Sequence, residues 1–490
     1  MIRFVTKLLV LALLLSKAAL ASVQILDPEI YQSEIDLLQA SDGKLHHSSL
    51  PLITQDMFNA QVSSMDLSEF DRAFLNRMSR NTYDDGDYVF NAQLKTFLSL
   101  HNSRPSSYLD LNAQSDPFYT SSNNIYIPGN FGGVAGQFYV EAFRFFSFDI
   151  KPYFLFHDVT GVSHTTIKEM YGSIHINKLS IDIGKARLHW GYGAYQPMVL
   201  SDDARPFPMI RLRSNEEIQV GNLGKMRFEI FYGWLDRFRT YPHSDIIGST
   251  FSIQPSDRLH FHLDQTVLFG GTGAPTNNPL VFFNETFVDS TINPANRNFT
   301  FGARYRIPKI EIEPYLDIYV EDCCRKPPIN PHHMLNLLGV YIPPRNNGKF
   351  DFSLEWARTN YITYRHAGFA YIQSGRNLGH PIGPDGTGIY GVTRYFHSKK
   401  LQLENLLAYE VRGVEARALS YRTFVDIRVV EPTFQDEERR YRTVQSASYF
   451  VTPYWKWTAQ AGLEYVNDLN YRIDQNKWNW MFGLESAINF

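Results

Sequence analysis

Hydrophobic and polar residues alternate over the last thirteen positions of the chain, 478–490. The even positions read Trp, Trp, Phe, Leu, Ser, Ile and Phe, whereas the odd positions are mostly small or polar. A period of two places one set on each face of a β-strand. The pattern predicts a strand with an apolar environment on one side and water on the other. A bacterial outer-membrane β-barrel provides this environment, and its strands have about 9–11 residues. An edge strand of a soluble sandwich is the alternative.

The same alternation recurs along the chain after residue 86. One face is apolar in segments 228–234, 310–320, 350–356 and 401–411. A single strand gives a weak signal, so the recurrence carries the prediction: about 400 residues at roughly 20–25 per strand and connection predict about 16 to 20 antiparallel strands. The terminal Phe490 resembles the signal that hands such barrels to their insertion machinery. We therefore expect this machinery and outer-membrane lipid as partners.

The lengths of the connections predict the direction of the strands. Outer-membrane barrels have short turns on the periplasmic side and long loops outside. If the C-terminus is periplasmic, the short connections 343–349, 397–400 and 452–454 lie inside, and the long segments 322–334, 358–386 and 412–439 lie outside. If the alternating run 421–430 formed a strand that spans the membrane, the predicted direction of every preceding strand would be reversed. The segregation of short and long connections favours a loop there.

The N-terminal part of the chain has a different pattern. Arg3 and Lys7 precede an apolar run, and residues 19–21 supply a small-residue cleavage site, so residues 1–21 are predicted to be a signal peptide. Residues 22–85 contain Asp27-Pro28, which suits a helix start, and 66–69 has capping-box spacing. We expect short amphipathic helices in 22–85 and the barrel in 86–490.

Composition supports this class and excludes others. Aromatic residues make up 15% of the chain, with 36 Phe and 29 Tyr, and barrels collect rings in interfacial girdles. The balance of 47 basic against 50 acidic residues argues against a nucleic-acid partner. The only cysteines, Cys323 and Cys324, give no disulfide framework. They could join His332 and His333 in a metal site, but a vicinal disulfide or two free thiols in a Pro-rich loop is favoured. We expect no metal and no cofactor.

No sequence motif predicts catalysis. The Gly-rich segments 189–193 and 269–273 lack the Lys-Ser/Thr of a phosphate loop, and no nucleophile elbow or zinc-protease motif occurs. Asp202-Asp203 is a carboxylate pair, for which a solvated loop or a lumen salt bridge is favoured over acid–base work. Rings beside polar residues are a better lead, because sugars bind to aromatic faces while planar polar groups fix the hydroxyls. The candidate polysaccharide-binding residues are Trp190, Tyr192, Tyr195, Asp203, Arg205, Tyr364, Tyr371, Arg376, His380 and Asp385. For each ring, a place in a girdle is the alternative.

Several motifs, in order along the chain, resemble the capsule assembly protein Wzi family. They are Trp190-Gly191-Tyr192-Gly193, Asp203-Ala204-Arg205-Pro206, His243-x-x-Ile246-Ile247-Gly248, Gly270-Gly271-x-Gly273, Glu355-Trp356-Ala357, Gly379-His380-Pro381-Ile382-Gly383 and Asp385-Gly386. Tyr192 stands where that family usually has proline, and the Arg-Pro comes one residue earlier. The resemblance implies an 18-stranded barrel with a small helical bundle at its periplasmic mouth, and a lectin-like role in holding capsular polysaccharide at the cell surface.

The sequence therefore predicts a non-enzymatic outer-membrane protein that binds, or helps assemble and retain, capsular or other surface polysaccharide. The main rival is a porin or channel for small solutes, against which the N-terminal helices speak. A third hypothesis is a rim enzyme acting on lipid or glycan, which needs Ser and His at facing rim positions.

Overall fold

The computed structural model describes residues 88–102, 106–107, 114–115, 130–143, 145–157, 163–275, 279, 295–321, 334–343, 349–366, 368–398, 400–415, 436–452 and 454–489. Eighteen long strands account for most of these residues. In chain order they are β1 (Tyr88–His101), β2 (Phe131–Ala142), β3 (Phe146–His157), β4 (Ser163–Ile176), β5 (Leu179–Ala186), β6 (Phe207–Ser214), β7 (Lys225–Trp234), β8 (Asp245–Ser256), β9 (Leu259–Phe269), β10 (Asn296–Tyr305), β11 (Glu313–Glu321), β12 (Met334–Ile342), β13 (Phe350–Arg358), β14 (Gly386–Phe396), β15 (Leu401–Arg412), β16 (Glu438–Thr452), β17 (Trp455–Asn467) and β18 (Lys477–Asn489).

The eighteen strands form one closed sheet. Each pairs antiparallel with its neighbour in the sequence. β1 also pairs with β18, where Leu94 stands opposite Ile488. A two-residue strand, Ile218–Gln219, adds to β7 beside β6. Closure leaves no strand edge unpaired, which is the condition for a sheet in a membrane. The predicted 18-stranded antiparallel barrel is confirmed.

The two faces of the wall differ in polarity as the alternation predicts. On β18, Trp478 and Trp480 are 63% and 44% exposed, whereas Asn479 between them is 1% exposed. On β13, Leu354 is 44% exposed and the adjacent Glu355 is 1% exposed. An apolar outer face with a polar interior is the arrangement of a transmembrane barrel. This protein is therefore an outer-membrane β-barrel.

Most short connections share one rim, and most long ones share the other. The connections 143–145, 177–178, 215–224, 257–258, 306–312, 343–349, 397–400 and 453–454 share a rim with the end of β18. The other rim carries 102–130, 158–162, 187–206, 235–244, 270–295, 322–333, 359–385, 413–437 and 468–476. β15 pairs directly with β16, so 413–437 joins two neighbours at one rim. The predicted grouping of the segments 358–386 and 412–439 at one rim agrees with this arrangement, and following the rule for outer-membrane barrels we call that rim the outer rim. The direction of the strands relative to the membrane stays a prediction.

One detail of the predicted strands is wrong. The alternating pattern placed Ile310 and Ile312 in the same strand as residues 316–320, but β11 begins only at Glu313. Lys309 and Glu311 have φ angles of 75° and 51°. Because this left-handed conformation ends an extended strand, the segment forms a turn.

Other sequence predictions fall outside the described residues. They concern the signal peptide, the helices of 22–85, the Cys323-Cys324 and His332-His333 segment, the run 421–430 and Phe490. The boundary at residue 86 also stays a prediction. Within the described ranges, no helix has the length and apolar character needed to cross a membrane.

The inner face of the wall carries buried ion pairs. Asp182 of β5 lies 2.7 Å from Arg211 and 2.8 Å from Arg213, both on β6. Arg442 of β16 lies 3.0 Å from Glu464 of β17. Barrels of 16 to 18 strands commonly enclose an aqueous channel, in which such side chains would be hydrated. Their burial here means that other parts of the chain occupy the lumen.

Candidate functional site

One long connection crosses the lumen of the barrel. Residues 187–206, which we call the transverse loop, leave β5 and enter the neighbouring β6. Yet the N–H of Tyr192 donates to the Asp317 carboxylate of β11 at 3.0 Å, and the N–H of Ala194 donates to Glu355 of β13 at 2.7 Å. Arg442 of β16 donates to the hydroxyl of Tyr195 at 3.1 Å. β6 and β16 lie on opposite sides of an 18-stranded barrel, so the loop spans its width.

Two rings fix the first part of this loop. Trp190 is 1% exposed, and its indole N–H donates to Glu229 at 3.2 Å. The Tyr192 hydroxyl lies 2.6 Å from Nδ1 of His260, and its ring packs edge-on against His262 with a centroid separation of 4.6 Å. Buried aromatic residues of this kind find partners for their polar ends. Both rings therefore serve as anchors between the loop and the wall.

The two glycines that follow these rings, Gly191 and Gly193, are required by close approach. Gly191 has a φ of 125°, and a Cβ there would lie 2.8 Å from both Oδ2 of Asp317 and Cβ of Pro197. A Cβ on Gly193 would lie 2.8 Å from the nitrogen of Pro197. Only glycine fits such positions without displacing its neighbours. The Trp-Gly-Tyr-Gly motif thus folds the loop tightly against β11.

A second outer connection packs onto the transverse loop. Residues 359–385, which we call the inner loop, contain a short hairpin of Ile372–Gln373 and Arg376–Asn377. The Tyr364 hydroxyl donates to the carbonyl of Met198 at 2.6 Å, and the N–H of Ser201 donates to the carbonyl of Leu378 at 2.7 Å. The two loops and the wall share one apolar cluster, which includes Trp190, Tyr192, Met198, Leu200, Tyr364, Phe369, Tyr371 and Leu378 from the loops and Tyr171, Phe207, Phe231, Leu268, Tyr315, Tyr319 and Leu337 from β4 to β12. The loops therefore obstruct the lumen with core-like packing.

Ion pairs link the two loops and hold the ends of the transverse loop together. Arg376 donates to Asp203 at 2.7 Å, and Asp202 pairs with Arg187 and lies 2.9 Å from Nδ1 of His189. Burial acts to raise the pKa of Asp202, but Arg187 and His189 outweigh it and hold that pKa well below its usual range. Burial raises the pKa of Asp203 despite the opposing effect of Arg376. The favoured interpretation of Asp202-Asp203, lumen salt bridges, agrees with this geometry.

His380 lies where the two loops meet the far wall. It is fully buried, and its Nδ1 accepts the N–H of Ile382 at 3.1 Å. Its ring centroid is 5.7 Å from that of Tyr195 and 5.4 Å from that of Tyr390. Burial, together with the positive charge of Arg412, lowers the pKa of His380 to about 3. The imidazole is therefore neutral at physiological pH.

The ten candidate residues differ in their exposure. The rings of Trp190, Tyr192, Tyr364 and Tyr371 are at most 5% exposed and pack inside the barrel. Tyr195 is half-buried and stacks on Tyr390 with centroids 4.2 Å apart. Of the other five candidates, Asp203 and Arg376 pair with each other, and His380 is buried. Asp385 is also buried and accepts the N–H of Glu415 at 2.9 Å. Arg205 is exposed. Contact of these residues with polysaccharide stays a prediction.

Sequence reasoning missed the wall residues that receive the transverse loop. Asp317, Glu355, His260 and Arg442 were not candidates, although each lies at an inward position of an alternating strand. Glu355, between apolar Leu354 and Trp356, could have been predicted to face inward. Its partner could not, because Ala194 is 161 residues away.

Two ring–cation pairs on the outer loops were not among the ten candidates. The Arg237 guanidinium lies 4.8 Å from the ring centroid of Phe238, which is 69% exposed. The Arg365 guanidinium lies 4.4 Å from the ring of half-buried Tyr361. Cations over aromatic faces hold both groups in place at a surface. These rings, unlike the buried ones, are accessible without any movement of the loops.

Comparison with known proteins places this architecture in a family. The sequence profile described as "Capsule assembly protein Wzi" matches residues 101–479. The chain belongs to the Wzi family. No curated protein sequence matches it. The matched range contains both the transverse loop and the inner loop, so the elements that cross the lumen lie within the part that Wzi-family proteins share.

Solved structures similar to this chain include those of Wzi, OprD and OpdH. Wzi of Escherichia coli, described as an outer membrane protein involved in group 1 capsule assembly and as a carbohydrate-binding β-barrel, is 16% identical, with a TM-score of 0.70 over 95% of this chain and 99% of that one. OprD of Pseudomonas aeruginosa is 11% identical, with a TM-score of 0.48 over 82% of this chain and 95% of its own. OpdH of the same organism is 9% identical, with a TM-score of 0.48 over 82% and 98%. The likeness to Wzi supports the barrel fold.

The main departure from the Wzi-family motif has a structural explanation. Tyr192 replaces the usual proline, and its hydroxyl and ring contact His260 and His262. Its N–H donates to Asp317, a bond that proline could not make. The contacts of the transverse loop with His260 and His262 of β9 depend on the tyrosine, whereas the N–H bond to Asp317 of β11 requires only a residue other than proline.

Proposed function

We propose that this protein binds capsular or other surface polysaccharide on the outward side of the barrel and helps to assemble and retain it at the cell surface. Membership of a family described as a capsule assembly protein supports this role. The observation that carries it is the filling of the lumen by the transverse and inner loops, because a barrel obstructed in this way offers a surface for binding rather than a path for transport.

The same observation weighs against the channel hypothesis. Solutes cross barrels of this size through a water-filled lumen. Here Tyr192, Tyr364 and Tyr371 lie inside the barrel with at most 5% exposure, and main-chain donors of the transverse loop satisfy carboxylates of the opposite wall. A porin role would require these contacts to open. A non-catalytic binding role requires no rearrangement.

The outer surface has groups that suit a glycan. Phe238 and Tyr361 offer ring faces, and Arg237 and Arg365 offer planar donors for hydroxyl groups. Each contact with a sugar would be weak. A long repeating chain that touches several such places at once, or several barrels at once, would be held strongly through multivalency. This explains how a barrel could retain a polymer without a deep site for each unit.

A binding experiment with matched variants tests the proposal. The purified full-length barrel is titrated with the host's own surface polysaccharide, and Phe238→Ala and Tyr361→Ala are compared with Tyr305→Ala, a ring 42% exposed on the outer wall at the periplasmic end of β10. We expect the two outer-loop variants to bind more weakly and the control to match the wild type. In cells, gene deletion should release polysaccharide into the medium while synthesis continues. Full retention of the surface polymer after deletion would refute the role.

We also propose that residues 22–85 form a helical bundle at the periplasmic mouth. The start of β1 at Tyr88, on the rim opposite the long loops, supports this proposal. Contacts with assembly partners, with outer-membrane lipid and, during biogenesis, with the insertion machinery belong to the same proposal. Protease digestion in membranes tests this proposal, with a second chain that carries a protease site after residue 86. We expect 22–85 to be protected in the original chain, and cleavage of the second chain to separate an intact barrel from a segment 22–85 that keeps its helical signal. An unstructured released fragment would count against the bundle.

A further inference from the structure

Four neighbouring strands carry small or polar residues at the middle of the outward face of the wall. Across β14 to β17 these residues stand side by side in register: Thr393 opposite Asn405, Asn405 opposite Gln445, and Gln445 opposite Ala461. Gln445 and Ala461 are exposed, and Thr393 and Asn405 are half-buried. They alternate with inward residues of the same strands, and Leu407, two positions after Asn405 on the same face, is 55% exposed. We call Thr393, Asn405, Gln445 and Ala461 the midplane row.

Exposed rings on the same strands give the depth of this row. On β16, Gln445 lies four residues from Tyr441 and four from Tyr449, which are 48% and 47% exposed on the same face. On β17, Tyr465 and Trp457 flank the row in the same way. Four residues span about 13 Å of strand, and the rings of outer-membrane barrels collect at the two membrane interfaces. The midplane row therefore lies near the centre of the hydrocarbon layer.

A polar amide is costly at this depth. Mid-strand outward positions of β9 and β10, for example, carry Leu263 and Phe301, which are 43% and 40% exposed. Hydrocarbon offers no partner to an amide, so an amide that faces lipid loses the hydrogen bonds it makes in water. The hydroxyl of Thr443 donates to Oδ1 of Asn405 at 3.3 Å, but among the described residues no group forms a hydrogen bond with the side chain of Gln445. A second protein surface over the row would supply the missing partners.

Small side chains beside the row allow such a surface to come close. Ala447 of β16 and Ala459 of β17 stand opposite each other, one outward position further from the outer rim. Together with Ala461 they leave the wall low between the rings above and below. Between membrane-spanning helices, small residues let two backbones approach, and amide side chains then bond across the contact. The same condition holds for the strands of two barrels.

The patch also has nearly the size of a protein interface. Four strands are about 19 Å wide, and the eight residues between Tyr441 and Tyr449 span about 26 Å, which gives roughly 500 Å² in projection. A standard interface buries about 800 Å² on each partner. The exposed rings above and below the row supply the difference.

We propose that this face, β14 to β17, docks against the same face of a second copy of the chain. The two-fold axis of the dimer lies along the membrane normal. Such an interface requires a surface that is complementary to itself. A primary amide meets this requirement, because it carries both N–H donors and a carbonyl acceptor, so Gln445 and Asn405 of one barrel bond the same residues of the other. The inference does not depend on the polysaccharide role, although a dimer would present two sets of outer loops to one polymer.

Energy transfer between donor-labelled and acceptor-labelled copies of the full-length protein in lipid vesicles tests the proposal. The dissociation constant of the dimer follows from the dependence of transfer on the protein-to-lipid ratio. Gln445→Leu should raise it about tenfold, because hydrogen bonds between membrane segments change affinity by roughly that factor. Ala461→Trp, which fills the low part of the patch, should abolish the dimer, whereas Ala461→Ser should keep it. A wild type that shows only the transfer expected from random proximity would overturn the proposal.

A second glutamine provides the matched control. Gln265 also faces outward at mid-strand, but on β9, seven strands from β16 in the order of the sheet. Gln265→Leu makes the same change outside the proposed interface, and we expect it to dimerise as the wild type does. Equal loss in Gln445→Leu and Gln265→Leu would reveal a general effect of removing amides, and loss in Gln265→Leu alone would place the interface elsewhere. Either result would overturn the proposal.

Cross-linking in native outer membranes distinguishes a second copy from another partner. A photoreactive side chain is introduced at position 461, and the product is identified by its mass. A product with twice the mass of the chain, lost in the Gln445→Leu background, supports the dimer. A product of another mass would assign this face to a different protein and overturn the proposal.

Discussion

Removal of the Tyr192 ring should release the transverse loop and open the lumen. The ring is 5% exposed, packs against His262, and its hydroxyl contacts His260. Truncation of a buried aromatic residue to alanine costs about 3–5 kcal/mol. If the open loop makes none of these contacts, the whole cost applies to the closed state. Because 1.4 kcal/mol corresponds to a factor of ten, the open fraction rises by roughly 10²- to 4 × 10³-fold.

The remaining attachments determine how far the loop opens. Tyr192→Ala keeps the N–H of residue 192 and that of Ala194, which donate to Asp317 and Glu355. It also keeps the stack of Tyr195 on Tyr390, worth about 0.5–1.5 kcal/mol. The double variant Tyr192→Ala/Tyr195→Ala should therefore open more often than the single one. Replacement of 190–198 by a Gly-Ser linker removes every side-chain contact of this segment, including those of Trp190, Tyr192 and Tyr195, and should open the lumen most often.

Planar-bilayer recording measures this opening directly. The wild type should show rare, brief conductance steps, Tyr192→Ala frequent ones, and the linker variant the most frequent ones. Tyr305→Ala, which removes a ring from the outer wall, is the matched control and should behave as the wild type. Each variant is first checked for correct folding, because a folded barrel resists unfolding until it is heated. A folded linker variant as silent as the wild type would refute the claim that this loop obstructs the lumen.

Three further variants test other parts of the reasoning. Gly191→Ala should destabilise the closed loop by about 1–3 kcal/mol, because the φ of Gly191 is 125° and an added Cβ would lie too close to Asp317. The change is measured as faster hydrogen exchange in 187–206. Gly221→Ala is the control and should cost less, since an added Cβ there has no atom within 4 Å. His380→Gln should remove a pH dependence. Since the folded pKa of His380 is about 3, below the usual value near 6.5, protonation favours the open inner loop, and protection of 359–385 should fall as the pH drops from about 6.5 towards 3 in the wild type only. Leu407→Arg, on the outer face at mid-strand, should lower barrel stability in vesicles by about 2–4 kcal/mol, whereas Leu406→Arg, on the inner face, should cost clearly less; equal costs would contradict the assigned faces.

The barrel could be predicted from the sequence because its signals are local. The alternation in β13 or β18 needs only a few adjacent residues, and the strand direction follows from the lengths of adjacent connections. The failure at Ile310 and Ile312 is local too, since the alternation continues through a turn whose left-handed residues, Lys309 and Glu311, carry no strong sequence signal.

The site could be predicted only in part because its contacts are not local. Both ring-rich segments were identified from composition, but only 358–386 was predicted to join the rim of the long loops, where the structure has it. No position was predicted for the segment around Trp190 to Arg205. Their entry into the lumen depends on pairs such as Tyr192 with Asp317, 125 residues apart, and Tyr195 with Arg442, 247 residues apart. The local sequence does not distinguish a ring that faces a glycan from a ring that packs inside the barrel.

The transverse loop and the charged wall depend on each other. Asp317 and Glu355 are at most 1% exposed, and the loop supplies N–H donors for both. In an open lumen water would hydrate these carboxylates, so the wall alone is compatible with a channel. With the loop in place they are desolvated and would be costly to leave without donors. The closed lumen on this scaffold therefore depends on residues 187–206 together with the inner loop packed on them, and Gly191 and Tyr192 hold the N–H donors of the transverse loop against the wall.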